Sequence, residues 1–171
     1  MPKINHREFS VGYGKVKKVK VGKFNPLVFI GGPCAIESRD HSLKMASKIK
    51  KICNKLKIQF VFKSCYNKDS RSSPESFNGI GIDSGLKILE DVRNNIGVPV
   101  VADFSDPAWA QPTAEVVDLL QIPAYLCRQT SILKSAASTN KPIHLKKGQF
   151  MSPWNMKNSV RKLEKFGSEQ I

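Results

Sequence analysis

From Leu27 onward, short apolar runs alternate with longer stretches in which apolar residues recur every three or four positions. The runs are LVFIG (27–31), IQFVF (58–62), PVVAD (99–103), DLLQI (118–122) and PIHLK (142–146). Each is nearly continuous in apolar character, as a strand covered on both faces must be. Between them, HSLKMASKIKKICNKL repeats Met45, Ile49, Ile52 and Leu56 at helical spacing, and residues 85–96 do so through Leu89, Val92 and Ile96. Residues 107–117 and 129–139 predict two further helices, the first weakened by Pro112. Ser152 followed by Pro153 predicts an N-cap with proline at the first helical position, opening WNMKNSVRKLEKF. Five strand–helix units in series predict a parallel sheet with right-handed crossovers.

Five units fit a doubly wound sheet or the first part of an eight-fold barrel. The sequence stops at EKFGSEQI, directly after a helix and where another strand is expected, which favours the barrel. The fold expected is therefore an α/β (β/α)8 TIM barrel of which about five βα units are present. Residues 1–24 are basic and weakly alternating (KVKKVKVGKF), which predicts a short β hairpin or edge extension. The expected division is an extension over 1–24 and a truncated barrel domain over 25–171.

Composition narrows the function classes. The 171 residues carry a formal charge of +14, which raises a nucleic-acid reading. The lysines are spread along the chain, mostly between apolar positions of helices, with no zinc-finger spacing and no aromatic RNA-binding motif. No nucleic-acid partner is expected. No apolar run approaches the roughly 18–20 residues that span a bilayer, and MPKINHREFS has no apolar core of a secretion signal. No membrane association and a cytoplasmic location are expected, in keeping with four cysteines in no paired pattern.

Chemistry in parallel α/β folds gathers at the carboxyl ends of strands. Those ends carry Cys34, Lys63, Asp103, Gln121 and Lys146. A lysine closing a buried strand is costly unless it meets an anion, so Lys63 and Lys146 predict a phosphate or carboxylate pocket. SCYNKDSRSS adds Lys68, Arg71, Ser72 and Ser73 within one loop, enough to grip a second phosphate. Arg128 adds a further cation. Cys34, in GGPCAIES, could serve as core thiol, nucleophile or metal ligand on this reading.

GGPCAIES, FKSCYNKDSRSS, LQIPAYLCRQT and HLKKGQFMSPWNMKN resemble the signature segments of the 3-deoxy-D-manno-octulosonate 8-phosphate (KDO-8-phosphate) synthase family. That family condenses phosphoenolpyruvate with D-arabinose 5-phosphate, a step of lipopolysaccharide KDO biosynthesis. The related heptulosonate 7-phosphate synthases share the barrel, but LCRQT and KKGQF resemble the octulosonate enzymes more closely. The resemblance implies that Lys63, Lys68, Gln121, Ala124 and Lys146 hold phosphoenolpyruvate. It implies that Arg71 and Ser72 take the pentose phosphate, with Arg128 as a further clamp that reaches a neighbouring subunit. Asp103 would bind sugar hydroxyls, and Lys63, Lys68 and Asp103 would be the catalytic set. Cys34 would bind a divalent metal, zinc or iron, as in the metal-dependent members, and the whole protein would be a homo-oligomer, a tetramer in the family. Cys53 and Cys127 are read as core or wall thiols and Cys65 as a loop thiol.

Three departures stand out. DSRSS replaces the usual ANRSS, so Ser70 stands for an asparagine. ADFSD replaces TDVHE, so Ala102 stands for a threonine and Ser105 for a histidine. GIG at 79–81 replaces a GPG turn. The family's remaining metal ligands (a histidine, a glutamate and an aspartate) and a further phosphate-binding arginine come from later units than these five. His144 is read as a polar residue of the barrel layer where relatives have asparagine, rather than as a substitute ligand. Two other readings are compatible with the sequence: a catalytically inactive remnant serving as an interaction module, and a basic nucleic-acid-binding protein on a borrowed scaffold.

Overall fold

The computed structural model describes residues 7–171. It opens with an antiparallel hairpin of β1 (Glu8–Val11) and β2 (Val19–Gly22), in which Phe9 pairs with Val21 and Val11 with Val19. Five βα units follow. They are β3 (Val28–Gly31) with α1 (Arg39–Lys55), β4 (Gln59–Lys63) with α2 (Ile82–Ile96), β5 (Val100–Asp103) with α3 (Ala110–Val116), β6 (Leu119–Ile122) with α4 (Thr130–Ala137), and β7 (Ile143–Leu145) with α5 (Met156–Lys165). The five strands form one parallel sheet in chain order, β3-β4-β5-β6-β7. The sheet curls into part of a (β/α)8 barrel.

Period-two alternation gives the sheet its two faces. Phe60, Phe62, Val100, Ala102, Leu120 and Ile122 face the helices and join one core with Leu89, Val92 and Leu133. The intervening Val61, Val101 and Leu119 pack on the concave side against Val11 and Val19 of the hairpin. Gln59, at the start of β4, exchanges hydrogen bonds with the backbone of Lys20 at 2.9 and 3.1 Å. The basic N-terminal segment therefore folds as a plug under the strands' amino ends, and the carboxyl ends stay open.

Several expectations shift in detail. Pro112 does not break its helix, because it is the third residue of α3, where no intrahelical N–H bond is required. A separate 3₁₀ turn, Pro107–Trp109, precedes it, with the Asp106 carboxylate accepting from the Ala108 N–H at 2.8 Å. The Ser152 cap is present, its hydroxyl accepting from Asn155, but it opens a 3₁₀ turn that leads into α5. On α1 the buried line is Ser42, Ala46 and Cys53, whereas Ile52 and Leu56 are 58% and 59% exposed. The helix packs on α2 and β4, with Met45 and Ile49 partly buried against the core, while Ile52 and Leu56 lie on the uncovered flank. Leu27 and Phe29, at the sheet's free β3 edge, are likewise 77% and 46% exposed.

Candidate active site

The alternation that buries Val61 and Val101 on the concave side also aims the next inward residues, Lys63 and Asp103, across the open end. Asp103 ends β5, and its register partner on β6 is Gln121. The Gln121 side-chain amide donates to one Asp103 oxygen. The ammonium groups of Lys146 and Lys68 lie 3.3 and 3.6 Å from the other. Lys63 donates to the Cys65 thiol at 2.9 Å. Tight backbone approach holds this end together: a Cβ on Gly32 would stand 2.2 Å from the Lys63 carbonyl oxygen, so the GGP turn requires glycine there.

The electrostatics follow from burial and charge. Burial pushes the Asp103 carboxyl up, but Lys63, Lys146, the Gln121 hydrogen bond and Lys68 together hold it below the usual carboxylate value. Burial works against the Lys68 ammonium, yet the acidic groups of Cys65, Asp103 and Cys34 and its contact with Lys63 hold it above the usual lysine value. Two lysines thus contact one carboxylate, with Lys63 near enough to act on it. The surplus positive charge faces a cavity of about 470 Å³ walled by Tyr66, Ala124 and Tyr125. Such a cavity suits a compact anion with several oxygens. The Tyr66 ring is fixed by a 2.8 Å hydrogen bond between its hydroxyl and that of Thr113 and by edge-on packing with Trp109.

The candidate residues fall into two groups. Lys68, Asp103, Ala124 and Lys146 line this cavity, with Gln121 bonded to its carboxylate and Lys63 close enough to act on Asp103. Arg71, Ser72 and Arg128 are exposed on loops. Arg71 lines a second cavity of about 630 Å³ with Cys34, Glu37 and His41, outside the lysine cluster. The backbone carbonyl of Arg128 accepts from Lys162 at 3.0 Å. Cys65 lies in the loop after β4 and is fully buried there, its backbone bridging Ala35. Cys53 and Cys127 are buried. His144 pairs with Gln121 in the ladder and sits in the barrel layer.

The cysteine reading implies a divalent metal at Cys34. That thiol is exposed, and among the described residues no three His, Cys, Asp or Glu side chains are placed to hold a metal ion. His41, on the same cavity, has its Nδ1 3.9 Å from Glu37. The residues present do not make a metal site, and no chemical step is assigned to one.

Sequence reasoning passed over Tyr66, Tyr125, Asp69 and Gln149, which also line the main cavity. Tyr125 lies inside LQIPAYLCRQT and Gln149 inside KKGQF, so their signal was present but unassigned. Among the described residues no helix is long and apolar enough to cross a membrane.

Comparison with known proteins agrees with this arrangement. Residues 4–171 match the model of the DAHP synthetase I family. The chain is 49% identical over 154 residues to a Synechococcus protein named 2-dehydro-3-deoxyphosphooctonate aldolase, covering 90% of this chain and 54% of that one. A Cyanothece protein of the same name is 49% identical over 153 residues, covering 90% of this chain and 56% of its own. A Rickettsia rickettsii protein of that name is 47% identical over 157 residues, with 92% and 57% covered. The chain spans a little over half the length of these curated relatives. With a family match over nearly its whole length, five parallel βα units and a lysine-rich cavity at their carboxyl ends, the chain belongs to the DAHP synthetase I family.

Proposed function

We propose that this chain carries the phosphoenolpyruvate site, and part of the sugar site, of a KDO-8-phosphate synthase. The observation that supports it most is the convergence of Lys63, Lys68 and Lys146 on the Asp103–Gln121 pair. The names of the relatives, which specify a 2-dehydro-3-deoxyphosphooctonate, favour the eight-carbon product over the seven-carbon one.

On this reading the three ammonium groups take the phosphate and carboxylate of phosphoenolpyruvate. Gln121 and the Ala124 wall fix its plane. The enol carbon attacks the aldehyde carbon of D-arabinose 5-phosphate, and the aldehyde oxygen takes up a proton. Water adds to the adjacent carbon of the former enol, and inorganic phosphate leaves with cleavage of its C–O bond. Asp103 accepts from sugar hydroxyls and orients the aldehyde. Lys63 and Lys68 offset negative charge as it moves to the departing phosphate. Arg71 and Ser72 take the pentose phosphate, and Arg128, on the outer surface, serves a neighbouring subunit of a homo-oligomer. A divalent metal at Cys34 would require ligands beyond the described residues.

The test joins residues 1–171 to the remaining length of the Synechococcus relative and follows phosphate release from phosphoenolpyruvate. Release that requires D-arabinose 5-phosphate and disappears in Lys68→Met is expected. Release independent of the pentose, or unaffected by that variant, overturns the reading.

One observation favours a second reading, an interaction module without catalysis. The concave side opens into a cavity of about 1140 Å³ lined by apolar residues including Val28, Ile30, Ile143 and Val160. A fused protein that binds no phosphoenolpyruvate but captures a partner over this face would support that reading.

A further inference from the structure

The mouth of the main cavity has chemistry opposite to that of its floor. At the floor, lysines surround Asp103. Along the mouth stand Asp69, Ser70, Ser105, Tyr125 and Gln149. The cations that line this cavity are Lys68 and Lys146, and both are engaged with Asp103. Nothing at the mouth compensates a second anion.

Two departures from the family pattern meet here. Asp69 stands where ANRSS has its alanine, and Ser105 where TDVHE has its histidine. The Ser105 hydroxyl donates to the Asp69 carboxylate, tying the loop after β4 to the loop after β5. The carboxylate is exposed and lines the cavity. After burial, Asp69 is the first influence pushing the Tyr125 phenol up, and it acts on Tyr66 in the same direction. Both tyrosines line this cavity. Ser105, a departure in one segment, thus contacts Asp69, which adjoins the Ser70 departure in the other.

We propose that Asp69 and Ser105 form a specificity pair for the second substrate. Asp69 accepts hydroxyl hydrogens of a polyhydroxylated aldehyde and turns phosphate away from the mouth, while Ser105 holds the carboxylate in place. A phosphate carried by that substrate must then point out of the mouth, toward Arg71. This inference rests on the phosphoenolpyruvate reading of the floor.

The test uses the 171-residue chain at low concentration, saturated with phosphoenolpyruvate, and ligand-observed NMR titrations of D-arabinose and inorganic phosphate. The unaltered chain should bind the neutral pentose and no additional phosphate. Asp69→Ala should weaken the pentose about tenfold, the loss of a charge-assisted hydrogen bond, and should admit an additional phosphate. Asp69→Asn should admit phosphate while keeping more of the pentose affinity. Ser105→Ala should weaken the pentose alone but add nothing in the Asp69→Ala background, because the two act as one unit. Pentose and phosphate binding unchanged in both Asp69 variants would overturn the inference and leave the floor assignment standing. No phosphoenolpyruvate binding at all would bring down both.

Discussion

Arg93 meets Asp118 beneath the sheet, its Nε 3.3 and 3.1 Å from the two carboxylate oxygens. The Asp118 side chain is fully buried, and it also accepts from the backbone N–H of Val100 at 2.9 Å and of Tyr13 at 3.1 Å. One carboxylate therefore joins α2, the start of β5 and the loop of the N-terminal hairpin. Asp118→Ala leaves two backbone N–H groups without their acceptor and the buried Arg93 guanidinium without its counter-charge, the Tyr13 carbonyl being its remaining hydrogen-bond acceptor. Breaking a buried pair in this way costs about 3–5 kcal/mol, and urea unfolding should show a loss of that order. A loss below about 1 kcal/mol would mean that the pair is solvated, in the range of exposed pairs.

His144 gives the chain a mild acid sensitivity. Burial and the nearby Lys146 hold its imidazole below the ordinary 6.5; Lys63 acts in the same direction, and Asp103 opposes them. Because the folded value is depressed, the unfolded chain takes up the proton first as pH falls. The stabilisation is therefore full above 6.5 and is lost as pH falls through the folded value. Thermal melts should show a falling midpoint in that window, and His144→Asn should flatten it. Asp103, whose carboxyl is also depressed, acts in a separate window below 3.8. A slope just below pH 6.5 that survives His144→Asn would assign it to another group.

The sheet has two free edges, β3 and β7, and the β3 edge is apolar, with Leu27 77% exposed and Phe24 98% exposed. Unpaired parallel edges with apolar flanks template association. The 171-residue chain should self-associate in sedimentation experiments, and Leu27→Lys with Phe24→Ser should shift it toward monomer. A monodisperse monomer at tens of micromolar would show that these edges are not adhesive.

Zinc should do little to this chain alone. With Cys34 exposed and no three-ligand group among the described residues, a chelator should leave the melting temperature unchanged. Tight, stoichiometric zinc binding that disappears in Cys34→Ser would show that the chain assembles a site these positions do not display.

The strands were legible because each is buried on both faces, so an apolar run of four or five residues marks it without help from its neighbours. The inward lysines were legible for the complementary reason: Lys63 and Lys146 follow such runs where an unpaired charge is costly. What periodicity could not give was which flank of a helix is covered. Ile52 and Leu56 keep the spacing of a buried stripe, yet only the sheet's open edge explains their exposure. Contacts between loops were equally invisible. The full burial of the loop residue Cys65 has no local sign because it follows from a bridge to Ala35, and Asp69 and Ser105 lie 36 positions apart before folding joins them.

In the proposed function, the Lys63–Lys68–Lys146 cluster around Asp103 holds phosphoenolpyruvate. Calorimetric titration of the 171-residue chain with phosphoenolpyruvate measures it most directly. One site is expected, competed by inorganic phosphate and weakened about tenfold or more by Lys68→Met and by Lys146→Met, since each removes a charge-assisted contact. Binding that is absent, or equally strong in both variants, would contradict it.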